Sequence, residues 1–201
     1  MNQAAPPPSQ LFTEQEYLAY DDGTDTRYEL VDGGLVEMPP ESDENNTAAK
    51  LLLFELAKHF PIALLAYKDT EIKVTGRRAR FRLPDLLVHT EESKAALAGG
   101  RRATIMGDMP PPALVIEVVS PGRTNRDRDY RYKRSEYAAR EIAEYWIVDP
   151  EMRQVTVCLW VNGMYEDAVY QGTERIQSTL VPNFALAPAD LWSTPQETGE
   201  A

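Results

Sequence analysis

The chain has little of what several large functional classes need. It contains one cysteine, Cys158, and two histidines, His59 and His89, among 201 residues. An internal disulfide is therefore excluded, and a Cys/His zinc site is nearly excluded. No apolar run is long enough to cross a bilayer, and the proline-rich first ten residues lack the basic start and apolar core of a signal peptide. We expect a soluble, cytoplasmic protein with no membrane partner.

Positive charge is also scarce, but it is concentrated in two segments. The formal net charge is -11, which by itself argues against a polyanionic partner. Residues 77–82 nevertheless carry four arginines and no acid, and residues 122–140 carry seven basic residues against three acids. The local field decides whether DNA can dock more than the net charge does, although two ordinary solvated basic faces are an equally good interpretation. The arginines considered as DNA contacts are Arg77, Arg78, Arg80, Arg82, Arg123, Arg126, Arg128 and Arg131.

The length and a hydrophobic share of 43% predict one domain, residues 11–192, between tails at 1–10 and 193–201. The apolar patterns predict an α/β fold: a mixed central β-sheet flanked by helices, with extra N-terminal and C-terminal β-hairpins. The predicted helices are 14–20, 47–60 and 129–140; the predicted strands are 28–31, 35–38, 63–68, 71–74, 79–83, 86–88, 114–119, 145–148, 155–160 and 165–170, with one further short strand after them.

Glu117 is the residue least expected in its surroundings. It lies inside the apolar run Ala-Leu-Val-Ile-Glu-Val-Val of residues 113–119, a pattern typical of a strand buried on both faces. An ionised carboxylate removed from water costs several kcal/mol unless it is paired. Glu117 is therefore predicted to face a polar pocket that holds a metal ion or another cation.

Two other carboxylates are candidates to share that pocket. Asp85 follows Pro84 at the start of the predicted strand 86–88, and Glu29 lies in the first predicted strand. Carboxylates on neighbouring strands could bind one hard divalent cation, which lowers the pKa of a bound water. Taken singly, Asp85 is more often a turn residue and Glu29 is more often solvated. The predicted metal ligands are Glu29, Asp85 and Glu117, with magnesium as the ion and manganese as the alternative.

Lys133 completes the candidate set. Asp129, Lys133 and Tyr137 are spaced by four residues on the predicted basic helix, so they share one face and an Asp–Lys pair is expected. The pair could be an ordinary surface salt bridge. If this face lies over the end of the Glu117 strand, the ammonium could instead orient an attacking water or offset charge on a phosphate.

These motifs, in this order, resemble the Uma2 family of restriction-endonuclease-like proteins in the PD-(D/E)XK nuclease superfamily. They are Arg-Leu-Pro-Asp at 82–85, Leu-Val-Ile-Glu-Val-Val-Ser-Pro at 114–121 and Glu-Tyr-Trp-Ile-Val-Asp-Pro at 144–150, with Asp129, Lys133 and Tyr137 between the last two. Tyr-Glu-Leu-Val-Asp-Gly at 28–33 and Met-Pro-Pro-Glu-Ser at 38–42 also match, so the resemblance covers about residues 11–192. It implies a restriction-endonuclease-like core, magnesium-type metal binding by Glu29, Asp85 and Glu117, and hydrolysis of DNA.

The chain departs from the superfamily pattern at Val119, where a lysine is expected two residues after the second carboxylate. The resemblance implies that Lys133 replaces it, with Asp85, Glu117 and Lys133 as the catalytic set. Two hypotheses follow: a metal-dependent endodeoxyribonuclease, or a nuclease-fold module that binds DNA or a protein without cutting. A glycosidase-like use of two acids leaves the basic helix unexplained. Cutting both strands of a duplex predicts a homodimer.

Overall fold

A six-stranded mixed β-sheet forms the centre of the computed structural model, which describes residues 11–24, 26–38, 40–76, 80–100 and 102–192. The strand order is β11-β10-β9-β8-β6-β3, and β8 and β9 run parallel while the other neighbours are antiparallel. The strands are β3 (Leu65–Tyr67), β6 (Leu86–Val88), β8 (Leu114–Val118), β9 (Glu144–Asp149), β10 (Gln154–Val161) and β11 (Met164–Gln171). The predicted mixed central sheet is confirmed.

The two central strands are buried on both faces, as their apolar runs predict. Every residue of β8 and β9 is buried. Trp146 of β9 packs in the core on one face, and Cys158 of β10 fills space on the other. A parallel pair needs a crossover connection, and here a helical segment makes it.

That crossover helix is longer and less regular than the predicted 129–140. It consists of α4 (Arg123–Asp127), a π-helical segment (Arg128–Lys133) and α5 (Arg134–Ala139). The helix begins directly after Gly122, whose φ of 104° suits only glycine. A π segment shifts the side-chain phase and is often found at functional sites. It brings both Asp129 and Lys133 to the buried side of the helix.

The long N-terminal helix begins and ends about four residues earlier than predicted. α2 spans Asp43–Leu56, and its N-cap Ser42 accepts a hydrogen bond from the Asn45 amide. The acidic residues taken as a loop form its first turn, where negative charge is favourable. Its inner face, which includes Ala48 and Leu52, packs on the central sheet. The other described helices are α1 (Glu14–Leu18), α3 (Glu91–Ala96), α6 (Pro188–Leu191) and a short 3-10 helix (Ile62–Leu64).

Two small sheets lie beside the central one. The N-terminal hairpin pairs β1 (Tyr28–Val31) with β2 (Gly34–Glu37), as predicted. A three-stranded sheet has β4 (Glu71–Lys73) between β5 (Phe81–Arg82) and β7 (Thr104–Ile105). The predicted C-terminal hairpin is present, but it extends the edge of the central sheet and is not an added unit.

The chain end differs from expectation. The predicted strand after β11 is absent from the described residues, and the helix α6 is found there. Pro182 and Pro188 cannot donate to a ladder, and isolated backbone hydrogen bonds, such as that from the Ile176 amide to the Leu186 carbonyl oxygen, hold the loop together with side-chain contacts. The predicted tails, 1–10 and 193–201, lie outside the described residues. Among the described helices, none has the length and apolar character to cross a membrane.

Candidate active site

Asp85 and Glu117 are brought together by the register of two neighbouring strands. Leu86 of β6 pairs with Ile116 of β8, so the next residues along, Asp85 and Glu117, lie across from each other. The backbone amide of Val118 donates to Asp85 Oδ2 at 2.8 Å. Both carboxylates are buried, with 8% and 3% of the residue surface exposed. The predicted pair of acids on adjacent strands is therefore present.

Lys133 reaches this pair from the π-helical segment. Its Nζ lies 2.8 Å from Glu117 Oε2 and 3.1 Å from Asp129 Oδ1. The lysine is only 2% exposed, so the interaction is a buried ion cluster and not a surface salt bridge. The position where a lysine would be expected, Val119, packs in the apolar core. The structure thus places an ammonium group beside Glu117 from a different element.

The pKa values of Glu117 and Lys133 follow from their burial and from the charged side chains around them. Removal from water raises the pKa of the Glu117 carboxyl, and the nearby charges of Asp85 and Asp129 raise it further against the opposing effect of Lys133. Burial lowers the pKa of Lys133, but Asp129 and Glu117 outweigh it, so the net shift is upward. Lys133 is therefore a permanent cation at neutral pH. Tyr137 donates from its hydroxyl to Glu117 Oε1 at 2.7 Å.

Asp129 has an unused ligand atom. Its Oδ1 accepts from Lys133 and from Arg128 Nε at 3.4 Å. Its Oδ2 is buried and has no hydrogen-bond partner among the described residues. A buried carboxylate oxygen without a partner is costly. Asp129 Oδ2 can therefore accept a hydrogen bond from water or bind one more cation.

Glu29 and Arg82 do not have the environments predicted for them. Arg82 Nη1 donates to Glu29 Oε2 at 2.9 Å, and its Nε donates to Glu136 Oε2 at 2.8 Å. Burial opposes ionisation of Glu29, but Lys133, Arg82 and Arg128 lower its pKa on balance. Arg82 is 3% exposed, so it is a buried bridge between two acids and is not available to a DNA phosphate. Glu29 is correspondingly occupied by Arg82.

A magnesium-type ion is compatible with part of the predicted ligand set. Among the residues that the structure describes, no three His, Cys, Asp or Glu side chains are grouped so that they could hold a metal ion. Magnesium, however, is normally bound through one or two carboxylates together with water and substrate phosphates. Asp85 and Glu117 supply two carboxylates, and the unpartnered oxygen of Asp129 lies in the same cluster. Asp85 and Glu117 are compatible with such an ion bound through two carboxylates and water, and Arg82 contacts the Glu29 carboxylate.

A surface pocket gives access to Asp85. Its volume is about 470 Å³, and Asp85 shares its lining with Arg27, Glu41, Asn46 and Lys68. A second pocket of about 310 Å³ adjoins it, since Arg27 and Lys68 line both. Glu117 and Lys133 line neither pocket. Asp85 is therefore the member of the cluster that a substrate would meet first.

The other predicted DNA contacts have mixed surroundings. Arg80, Arg123 and Arg131 are exposed. Arg126 is partly buried against Asp149 at 3.3 Å, and Arg128 is partly buried against Asp129. Arg77 and Arg78 lie outside the described residues.

Sequence reasoning missed two residues that contact the predicted site. Lys68 forms an ion pair with Asp85, and Glu136 forms one with Arg82. Lys68 is the last residue of the predicted strand 63–68, where a lysine is unremarkable, and Glu136 was counted only as a charge on the basic helix. No local signal identifies either residue, because both contacts join segments that are distant in sequence.

The model of the Uma2 family, described as "Putative restriction endonuclease", matches residues 14–189. The chain belongs to the Uma2 family. The family resemblance expected from the motifs is thereby confirmed.

A solved structure agrees with this Uma2 assignment at the level of fold. It is described as "a putative nuclease belonging to DUF820 from Anabaena variabilis ATCC 29413", and it is 14% identical in sequence. The alignment covers 88% of this chain and 95% of that chain with a TM-score of 0.63. At this identity the likeness shows the nuclease-like fold alone. No curated protein sequence is significantly similar to the chain.

Proposed function

We propose that this Uma2 protein is a metal-dependent endodeoxyribonuclease that hydrolyses DNA phosphodiester bonds. The observation that carries the proposal is the contact of a buried lysine, Lys133, with Glu117 at 2.8 Å, beside a second carboxylate on the neighbouring strand. Family membership supports a nuclease function. The arrangement supplies two carboxylates and one ammonium group.

Asp85 and Glu117 would hold the metal ion, with magnesium as the proposed ion and manganese as the alternative. When bound there, such an ion supplies an activated water and neutralises charge on the phosphate. Glu29 is left out of this ligand set because Arg82 occupies its carboxylate. Asp129 contacts Lys133 directly, at 3.1 Å, and so lies beside Glu117.

The protein's own groups hold Glu117 in place for this role. Lys133 and Tyr137 each donate to a different oxygen of the Glu117 carboxylate, which fixes its rotamer. The Lys133 charge favours the ionised form of Glu117 against burial. We assign to Lys133 the positioning of Glu117 and of a water next to it, the role of the lysine absent at Val119.

The exposed arginines of the crossover helix would contact the DNA backbone. Arg123 and Arg131 are exposed on this helix, and Arg80 is exposed beside β5. Arginines of this kind bind phosphates without reading sequence. The segment that carries Asp129 and Lys133 on its buried side thus carries cations on its outer side. DNA in the cytoplasm is the proposed substrate.

A binding module that does not cut is the second candidate. Glu117 and Glu29 are already paired with Lys133 and Arg82, and the net charge is -11. Both observations suit a cluster kept for structure. In that case the protein would bind DNA or a protein through the nuclease fold without hydrolysis.

A cleavage assay separates the two candidates. Plasmid and single-stranded DNA would be incubated with magnesium, manganese or EDTA, using wild type, Asp85→Asn and Lys133→Met. Exposed residues provide matched controls, Asp108→Asn and Lys94→Met. We expect metal-dependent cleavage that both site variants abolish and both controls retain. Cleavage unaffected by either site variant would exclude this site, and binding without cleavage in any metal would favour the module.

The proposed enzyme would act as a homodimer if it cuts both strands, because a two-fold dimer matches the symmetry of a duplex. Sedimentation velocity with and without duplex DNA measures this directly. A monomer that only nicks one strand would contradict the proposed dimer without affecting the proposed chemistry.

A further inference from the structure

Lys68 lies at the mouth of the site, where Lys133 does not. Its Nζ is 3.2 Å from Asp85 Oδ1 and 3.0 Å from Asn46 Oδ1. The Lys68 side chain is 14% exposed, whereas that of Lys133 is 3% exposed. Lys68 also lines both of the adjoining pockets. It is therefore a lysine that touches a proposed metal ligand and is also open to a bound molecule.

The backbone at Lys68 is held in an unfavourable conformation. Its φ is 52°, in the left-handed region that long side chains rarely adopt. The amide of Lys68 donates to the carbonyl oxygen of Asp85 at 3.0 Å, so the main chain and the ammonium both contact the same residue. Strain of this kind persists where surrounding contacts enforce it, and it is concentrated at functional sites. Here it directs the lysine to Asp85.

Among the contacts of the described residues, the Lys68 ammonium has one N–H donor left for a ligand. A lysine has three N–H donors, and within the described part of the chain Asp85 and Asn46 accept two of them. Arg27 is a second cation that lines both pockets. Glu37 and Glu41 line the pocket at Asp85, and the adjoining pocket is lined by Asp21, Asp22, Asp69 and Glu71. An anion would be repelled unless a cation stands between it and these acids. Lys68 is placed to be that cation.

We propose that Lys68 contacts the phosphate of the bound nucleic acid next to Asp85, and that the cleaved strand lies in the pocket of about 470 Å³ that Asp85, Lys68 and Arg27 line. The inference rests on the proposed function for the identity of the substrate. Two lysines, Lys133 and Lys68, would then share the positive charge of the site. Lys133 holds Glu117 from within the protein, and Lys68 contacts the substrate from the pocket.

The test measures DNA binding, which does not require cleavage. A short fluorescein-labelled DNA, single-stranded or duplex, is titrated with protein in calcium over a range of salt concentrations, and a gel checks that the DNA is intact. The variants are Lys68→Met and Lys68→Gly, with Lys58→Met as control. Lys58 also pairs with a carboxylate, that of Glu55, but its side chain is 66% exposed and lines neither pocket.

Loss of one phosphate contact predicts two changes in both Lys68 variants. Affinity falls about tenfold, and the slope of log K against log salt falls by about one. Lys68→Gly should have a higher Tm than Lys68→Met, because glycine adopts a φ of 52° without strain. Both changes in binding should still be the same in the two variants, and Lys58→Met should bind as wild type does.

Several outcomes would overturn the inference. The inference fails if Lys68→Met binds DNA as tightly as wild type, or if it binds more weakly with an unchanged salt slope. It also fails if the loss of affinity in the two Lys68 variants parallels their loss in Tm, or if the wild-type protein does not bind DNA. Cleavage by Asp85→Asn tests the proposed function separately. If Asp85→Asn is inactive but Lys68→Met cleaves and binds normally, only the Lys68 inference fails. If no protein cleaves but Lys68→Met binds weakly, only the proposed hydrolysis fails.

Discussion

Two buried glutamates on neighbouring strands have opposite kinds of surroundings. Glu117 of β8 lies opposite Ile147, and Glu144 of β9 lies opposite Leu114, so they occupy opposite ends of the parallel pair. Both are almost fully buried. Within the described residues, Glu144 accepts hydrogen bonds from neutral donors: the indole of Trp146, the hydroxyls of Ser178 and Thr179, and the amides of Thr179 and Leu180.

Glu117, by contrast, lies among charges. Lys133 contacts it at 2.8 Å, and the charges of Asp85 and Asp129 act on its pKa. The hydrogen bonds of Glu144 attach the loop at 178–180 to the sheet, which is a structural task. Burial of an acid is therefore not evidence of function by itself. What distinguishes Glu117 is that it lies in a cluster of other charged side chains, both acids and cations.

The largest expected effect comes from removing the charged pair at Glu117. The double variant Glu117→Gln/Lys133→Met removes both charges together, so neither is left buried alone, and Asp129 keeps Arg128 as a partner. We expect cleavage to fall by about 10³-fold while the Tm stays within a few degrees of wild type. Quantitative plasmid cleavage and thermal unfolding measure the two effects.

The matched control for this variant is Glu55→Gln/Lys58→Met, which removes a glutamate–lysine pair outside the site. It should retain full cleavage. A double variant at Glu117 and Lys133 that folds and still cuts at the wild-type rate would remove the distinction drawn between the two glutamates.

Glu144→Ala should have the second-largest effect, and it should be on stability only. It leaves the amide of Thr179 and the indole of Trp146 without the acceptor that Glu144 provides. We expect a loss of about 3 kcal/mol in the free energy of unfolding, with unchanged cleavage per folded molecule. Urea denaturation measures the loss, and the exposed Glu166→Ala should change stability by less than about 0.5 kcal/mol. Loss of cleavage in folded Glu144→Ala would contradict the structural assignment.

A smaller effect is expected at His89. It tests whether the loss of folding stability at low pH originates at this histidine or in the cluster of Asp85, Glu117 and Asp129. It follows β6 at the end away from Asp85, is 2% exposed, and its Nδ1 lies 2.7 Å from Ser93 Oγ. Burial, with help from the charge of Lys94 and against that of Asp69, lowers the pKa of His89 to about 4.

The sign of this effect follows from the unfolded chain, where the pKa of His89 is near 6.5. The unfolded state binds the proton first, so stability is full above pH 6.5 and declines as the pH falls toward about 4. We expect a decline of about 2 kcal/mol, measured by urea denaturation across this range. His89→Gln should remove most of it. An undiminished decline in His89→Gln would place the acid sensitivity elsewhere.

Much of the site was predictable because it depends on local patterns. β6 has the predicted bounds, and β8 ends one residue short of them. Once these strands pair, their register places Asp85 against Glu117. The four-residue spacing of Asp129, Lys133 and Tyr137 likewise predicted that they share one face of the helix, and the structure buries that face.

The rest depended on packing between distant segments. Arg82 looked like one of several surface arginines, but burial between Glu29 and Glu136 gives it a structural role. The bond between Lys68 and Asp85 depends on a turn with positive φ. An acid in an apolar strand does not by itself indicate a functional site, because Glu144 also begins an apolar strand. Its hydrogen bonds to the loop at 178–180 show that its role is structural.

The smallest expected effect is at the outer face of the crossover helix. Arg131 is exposed on the same π-helical segment that carries the buried Lys133. Arg131→Gln should weaken DNA binding about threefold and lower the salt slope by about 0.9, because one phosphate contact is lost. Cleavage at saturating DNA should not change. Fluorescence anisotropy measures binding, with Arg175→Gln, an exposed arginine in the loop after β11, as control. An equal loss in both variants would mean that the helix has no special part in binding DNA, because general charge would then explain the effect.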